Sequence, residues 1–233
     1  MWQIAPELVF GILRHFLPAG GLKLSVIEPA LFPWYLGQIC SSWREVFISY
    51  PEFWNNLVIH LQSHRDKNFC TTIGVDANFN RALAILNTCL PRSRNFLLSF
   101  QFILYSDELC YGPENSKSRC SLQILELLVG QSTRWRDAHI ELHESGLPVL
   151  YMVKDKLPML HSMRINLWSP KRPYHLASIG PPPPTYLHLF ENTPQLRHLH
   201  LCEFAWNVDW SALTVIHLRN PYAFRPSLAC QPS

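Results

Sequence analysis

Lys156–Leu167 reads KLPMLHSMRINL. It opens on a Leu-Pro pair, sets an apolar anchor at Leu160, and closes on the alternation Met163-x-Ile165-x-Leu167, the period of a half-buried strand. Two later segments repeat the layout. Thr193–Leu201, TPQLRHLHL, has the form P-x-L-x-x-L-x-L, and Trp210–Leu218, WSALTVIHL, has the form W-x-x-L-x-x-I-x-L. The anchors lie 36 residues apart from Leu160 to Leu196 and 17 apart from Leu196 to Leu213. An earlier segment, Trp135–Leu142, ends in the same I-x-L.

This repetition resembles irregular leucine-rich repeats, in which each unit supplies one short parallel strand and a helix or loop, and stacked neighbours close the core that one unit cannot. Ser145–Val153 and Tyr186–Glu191 fall between the strands, as such units require. Upstream, Leu57–Leu61 and Phe96–Leu104 read as strands, with Asn80–Leu90 a helix ended by Pro91 and Leu122–Val129 a helix ended near Gly130. His64–Asn68 and Ser106–Arg119 read as polar loops, and Ser169–Pro184 as an exposed polyproline-II loop. The expected fold class is therefore mixed α/β. A short helical domain (1–57) precedes an irregular, incomplete leucine-rich-repeat solenoid with short parallel strands (58–233). Asn220–Ser233 supplies no capping unit and Met1 stands close before the first motif, which fits a fragment or a truncated gene.

Two amphipathic helices fill the N-terminal part. In IAPELVFGILRHFLP, Ile4–Pro18, the stripe is Leu8, Val9, Ile12, Leu13 and Phe16, and Pro18 with Gly20-Gly21 ends it. In Leu36–Tyr50 the stripe is Leu36, Ile39, Cys40, Trp43, Val46, Phe47 and Tyr50, and Pro51 ends it. These segments, followed by Pro51 and Trp54, resemble the F-box-like domain of basidiomycete fungi, whose pattern runs L-P-P-E-I-L-x-x-I-F, then C-x-x-W-R, then P-x-L-W. Ile4, Pro6, Glu7, Leu8, Val9, Ile12 and Leu13 match the first block, Leu36–Cys40 with Trp43 and Arg44 the second, and Pro51 with Trp54 the third. Ala5 stands where the family has its first proline and Ser41 where arginine is common.

The resemblance implies a non-catalytic substrate-recognition adaptor of a Skp-cullin-F-box ubiquitin ligase. The N-terminal helices would dock the Skp-family linker, and the repeats would hold a protein substrate. Pro6, Leu8, Ile12, Leu13, Ile39, Cys40, Trp43 and Phe47 are the candidates for docking; part of this set must instead form the core of the small domain, and the sequence does not sort them. The departures at Ala5 and Ser41 motivate a second expectation, a ligase-independent repeat scaffold. A third is an enzyme with an unrecognised site, for instance a hydrolase.

Composition narrows these classes. Charged residues make up 16% of the 233, and the net charge is only +3 with the basic residues scattered, so the concentrated basic stripe of a nucleic-acid binder is missing. No run of apolar residues is long enough to span a membrane, and the N-terminus lacks the signal-peptide layout. Seven cysteines at irregular spacing fit free thiols in a reducing compartment, cytoplasm or nucleus. No cofactor or metal is expected. Glycine-rich phosphate loops, a G-x-S-x-G elbow and C-x-x-C pairs are all missing from the sequence. His139 and His143 would share a helix face, but Ile140-Glu141-Leu142 alternates like a strand and separates them by about 13 Å. His198 and His200 are expected to point outward from one strand, and Cys40 is expected to pack rather than react.

Overall fold

Among the described residues, seven strands form one parallel sheet and lie in it in the order in which the chain makes them. The computed structural model describes residues 4–15, 24–25, 38–62, 72–105, 116–143, 146–168, 188–201 and 210–218. The elements in chain order are α1 (Pro6–His15), β1 (Leu24–Ser25), α2 (Ser41–Ser49), β2 (Asn56–Gln62), α3 (Thr72–Arg92) and β3 (Leu98–Tyr105). After them come α4 (Ser116–Val129), β4 (Trp135–His143), α5 (Leu147–Tyr151), β5 (Ser162–Trp168), β6 (His198–Leu201) and β7 (Val215–Leu218). The fold is thus mixed α/β with short parallel strands, as the sequence predicts. It is not the leucine-rich-repeat solenoid expected: the strands make one continuous sheet, joined by crossovers of unequal length and content that do not stack as repeating units.

Strand alternation and register together make the core. Leu57, Phe100, Ala138, Met163 and Leu199 fall in one register row, and Ile59, Phe102, Ile140, Ile165 and Leu201 in the next. All ten are buried, because side chains two apart on a strand share a face and parallel pairing lines those faces up. The residues between them form the opposite, polar face. Anchors Leu160 and Leu196 are both buried, each closing a turn on the residue three before it (Leu157 and Thr193). Backbone bonds then stitch each entry to the previous strand: His161 N–H donates to Arg136, Arg197 to His161, and Thr214 to Arg197.

A second recurring device fixes helices to strands. Trp54 Nε1–H donates to the carbonyl of Phe47 at 3.0 Å, and Trp135 Nε1–H donates to that of Leu128, also at 3.0 Å. In both cases a tryptophan at the entry of a strand donates to a carbonyl near the end of the preceding helix, across a short 3-10 turn (Pro51–Phe53, Ser132–Arg134). The boundary expected after residue 57 falls within β2, and buried side chains on both sides of it, from Val9 to Leu201, belong to one cluster.

Several expectations need correction. α3 does not stop before Pro91 but runs through it to Arg92, because proline in the last turn removes only one donor and Ser93 N–H still reaches the Cys89 carbonyl at 2.8 Å. α4 begins at Ser116, so the end of the expected loop Ser106–Arg119 is helical. α2 begins at Ser41, which leaves Ile39 and Cys40 ahead of the helix rather than on its stripe. β1 was not anticipated. His64–Asn68, Ser169–Pro184 and Asn220–Ser233 lie outside the described residues.

Candidate functional site

Two surfaces carry side chains that the fold does not use. The first is on the N-terminal helices. Along α1, Val9 and Leu13 turn into the core, while Leu8 and Ile12, spaced four apart, turn out of it, and Ile4, just ahead of the helix, is exposed as well. Leu8 is 63% exposed and Leu13 0%. Phe10 holds the helix in place by stacking on Tyr50, with ring centroids 4.1 Å apart, and by meeting Phe53 at 5.6 Å. Pro6 sits exposed at the first helical position, where no backbone donor is needed.

On the second helix the set divides again. Phe47 is 3% exposed and packs on Phe53 and Trp54, and Trp43 is half-buried against the core. Ile39 is 53% exposed. Cys40 caps α2 in an extended conformation, and it is exposed, contrary to the packing role expected of it. Of the eight docking candidates, Pro6, Leu8, Ile12, Ile39 and Cys40 are therefore on the surface. Leu13 and Phe47 build the core, and Trp43 is shared. Behind them, the Arg92 guanidinium lies 4.6 Å over the Trp54 ring and ties α3 to this block.

The second surface is the polar face of the sheet. One row reads Val58, Gln101, His139, Arg164, His200 and His217, each residue opposite the next across adjacent strands. His60, Ile103, Glu141 and Asn166 form the row beside it. His139 is the centre of a bonded set: Gln101 Nε2 lies 2.7 Å from its Nδ1, its Nε2 lies 2.9 Å from Glu141 Oε1, and Asn166 Nδ2 also donates to that oxygen. A neutral ring with its proton on Nε2 satisfies all three. Burial holds His139 below the usual histidine value, the hydrogen bond to Glu141 works against that, and the Arg164 charge adds to it. His200 is likewise lowered, first by burial and then by His217, Arg164, His139 and His198. The His200 and His217 rings stack 4.2 Å apart and nearly parallel, and His161 meets His198 edge-on at 4.9 Å. His60 Nε2 is buried with no hydrogen-bond partner among the described residues.

His139 and His143 are both on β4, and His198 and His200 both on the polar side of β6, as the alternation predicts. No group of three or more His, Cys, Asp or Glu among the described residues is placed to hold a metal ion. Burial pushes the Cys89 thiol up to about 12, with Arg92 pulling it partly back, so it stays protonated at neutral pH. Sequence reading missed the Gln101–His139–Arg164–His200–His217 row. Its members stand between or just before the apolar positions of their separate strands, and only the register between strands brings them together.

The geometry defines a mixed α/β protein with an apolar helical surface and a polar sheet surface. No family model, no curated protein and no solved structure matches the chain. No helix among the described residues is long and apolar enough to cross a membrane.

Proposed function

We propose that this chain is a non-catalytic, F-box-like adaptor of a Skp-cullin-F-box ubiquitin ligase, working in the cytoplasm or nucleus. The observation that carries the reading is the division of α1: one side anchors the helix in the core while Leu8 and Ile12, with Ile4 just ahead of the helix, stay outside. Apolar side chains at i and i+4 on an anchored helix are what a hydrophobic groove on a partner reads. Together with exposed Ile39 ahead of α2, they are the docking set for the Skp-family linker. The sheet from β2 to β7 then holds a protein substrate. Such a protein performs no bond chemistry. It raises the local concentration of substrate lysines at the loaded ubiquitin carrier, turning a bimolecular encounter into a local one.

A ligase-independent interaction scaffold is the second reading. Its support is that the polar sheet face is built entirely from β2–β7 and needs nothing from α1. Co-expression of the full chain with a fungal Skp-family linker, followed by size-exclusion chromatography, separates the two. The adaptor reading expects one co-eluting complex; a folded chain that elutes alone leaves the scaffold.

A further inference from the structure

On the polar face of β5–β7, register places Arg164 opposite His200 and His200 opposite His217, with Ser162 and Asn166 on β5 and His198 on β6 beside them. Neighbouring strands lie about 4.8 Å apart, so these side chains form one short line of cationic or protonatable groups. The carboxylates of the face sit one strand away and are already engaged. Glu141 is held by His139 and Asn166, and Asp137 by Ser99 at 2.8 Å and Arg136 at 2.8 Å. Arg164 has no hydrogen bond or ion pair among the described residues, and it is half-buried with its charge close enough to lower both His139 and His200. A planar guanidinium with open donors, set at one end of a stacked pair of imidazoles, suits a carboxylate.

We propose that the β5–β7 face, through Arg164, His200 and His217, binds an acidic segment of a partner polypeptide. The backbone of the sheet's inner strands is fully committed to its neighbours, so recognition there falls to side chains, and carboxylates are the groups that complement this line. His200 faces Arg164 on β5 and His217 on β7, has His198 on its own strand, and has His139 and Glu141 one strand further off on β4. Only one of these neighbours is acidic, and that one is already paired with His139. Protonation of His200 is therefore opposed in the free protein and favoured by a bound carboxylate, so binding tightens as pH falls. The inference rests on the adaptor reading in that it names the class of substrate segment the sheet would hold.

The test uses the full chain and a fluorescent ten-residue polyglutamate peptide, read by anisotropy, with a Gly-Ser peptide of equal length and an oligothymidylate as comparisons. Polyglutamate should bind about tenfold tighter near pH 6 than near pH 8 and weaken with added salt. Arg164→Gln and the double variant His200→Gln/His217→Gln should each weaken it at least about tenfold near pH 6, whereas Arg164→Lys should retain part of it. These side chains lie outside the core, so circular dichroism of the variants should match the parent. Affinity no better than for the Gly-Ser peptide, affinity unmoved by the substitutions, or tighter binding of the oligothymidylate would each overturn the proposal. Linker co-elution on the same preparations keeps the two readings apart. Linker binding retained without polyglutamate binding sinks this inference alone, and the reverse pattern sinks the adaptor reading while leaving the anion-binding face supported.

Discussion

Leu8 and Leu13 both belong to the apolar stripe of α1, yet one is open to solvent and the other closed off. A period of 3.6 puts Leu8, Val9, Ile12 and Leu13 on one broad side, but which edge of that side meets the core depends on where Phe10 and Tyr50 stack, and no period encodes that. Leu13→Ala should therefore lower unfolding free energy by about 2–5 kcal/mol, while Leu8→Glu should change it by less than about 0.5 kcal/mol, both read by urea denaturation. The cysteines divide in the same way. Iodoacetamide at mildly alkaline pH should label Cys40 in the native protein and reach Cys89 only after denaturation, with peptide mass spectrometry as the readout.

Elements were legible where apolar periodicity is strong and obscure where local chemistry decides. β2, β4 and β6 fall close to where alternation predicts them, whereas the first turn of α4, Ser116–Arg119, has no apolar repeat and reads as loop. The end of α3 depends on a residue far along the chain. The Arg134 guanidinium donates to the carbonyls of Leu90 at 3.2 Å, Phe96 at 3.3 Å and Arg94, and its Nε donates to Gln131 at 2.9 Å. Arg94 itself takes a left-handed φ of 46°, which turns the chain from α3 toward β3. Burial lowers the Arg134 pKa from the usual arginine value, but the guanidinium remains charged at any physiological pH. Lysine cannot span several carbonyls at once, so Arg134→Lys should destabilise the protein by about 1.5–3 kcal/mol in thermal or urea unfolding.

At the scale of the molecule, the class of fold follows from the strands between helical segments, but the order and register of the sheet do not, and with them the Arg164–His200–His217 line stayed hidden. The same line sets a pH dependence. His139 and His200 lie below the ordinary value of 6.5 when folded, so the unfolded chain takes up their protons first as pH falls. Their contribution to stability is complete above about pH 6.5 and is lost as pH drops through the folded values. The urea midpoint should accordingly be lower near pH 5.5 than near pH 7.5, and His139→Gln should flatten that difference. A midpoint that rises on acidification would contradict the assignment.

Docking through the outer side of α1 is the central claim, and one comparison tests it most directly. Full-length chain carrying Leu8→Glu, and separately Arg164→Gln, is co-expressed with the Skp-family linker and resolved by size-exclusion chromatography, with thermal melting of each variant alongside. The account predicts that the parent and Arg164→Gln co-elute with the linker and that Leu8→Glu, melting within about 2 °C of the parent, does not. A folded Leu8→Glu that co-elutes as well as the parent, or a folded parent that never binds the linker, would contradict it.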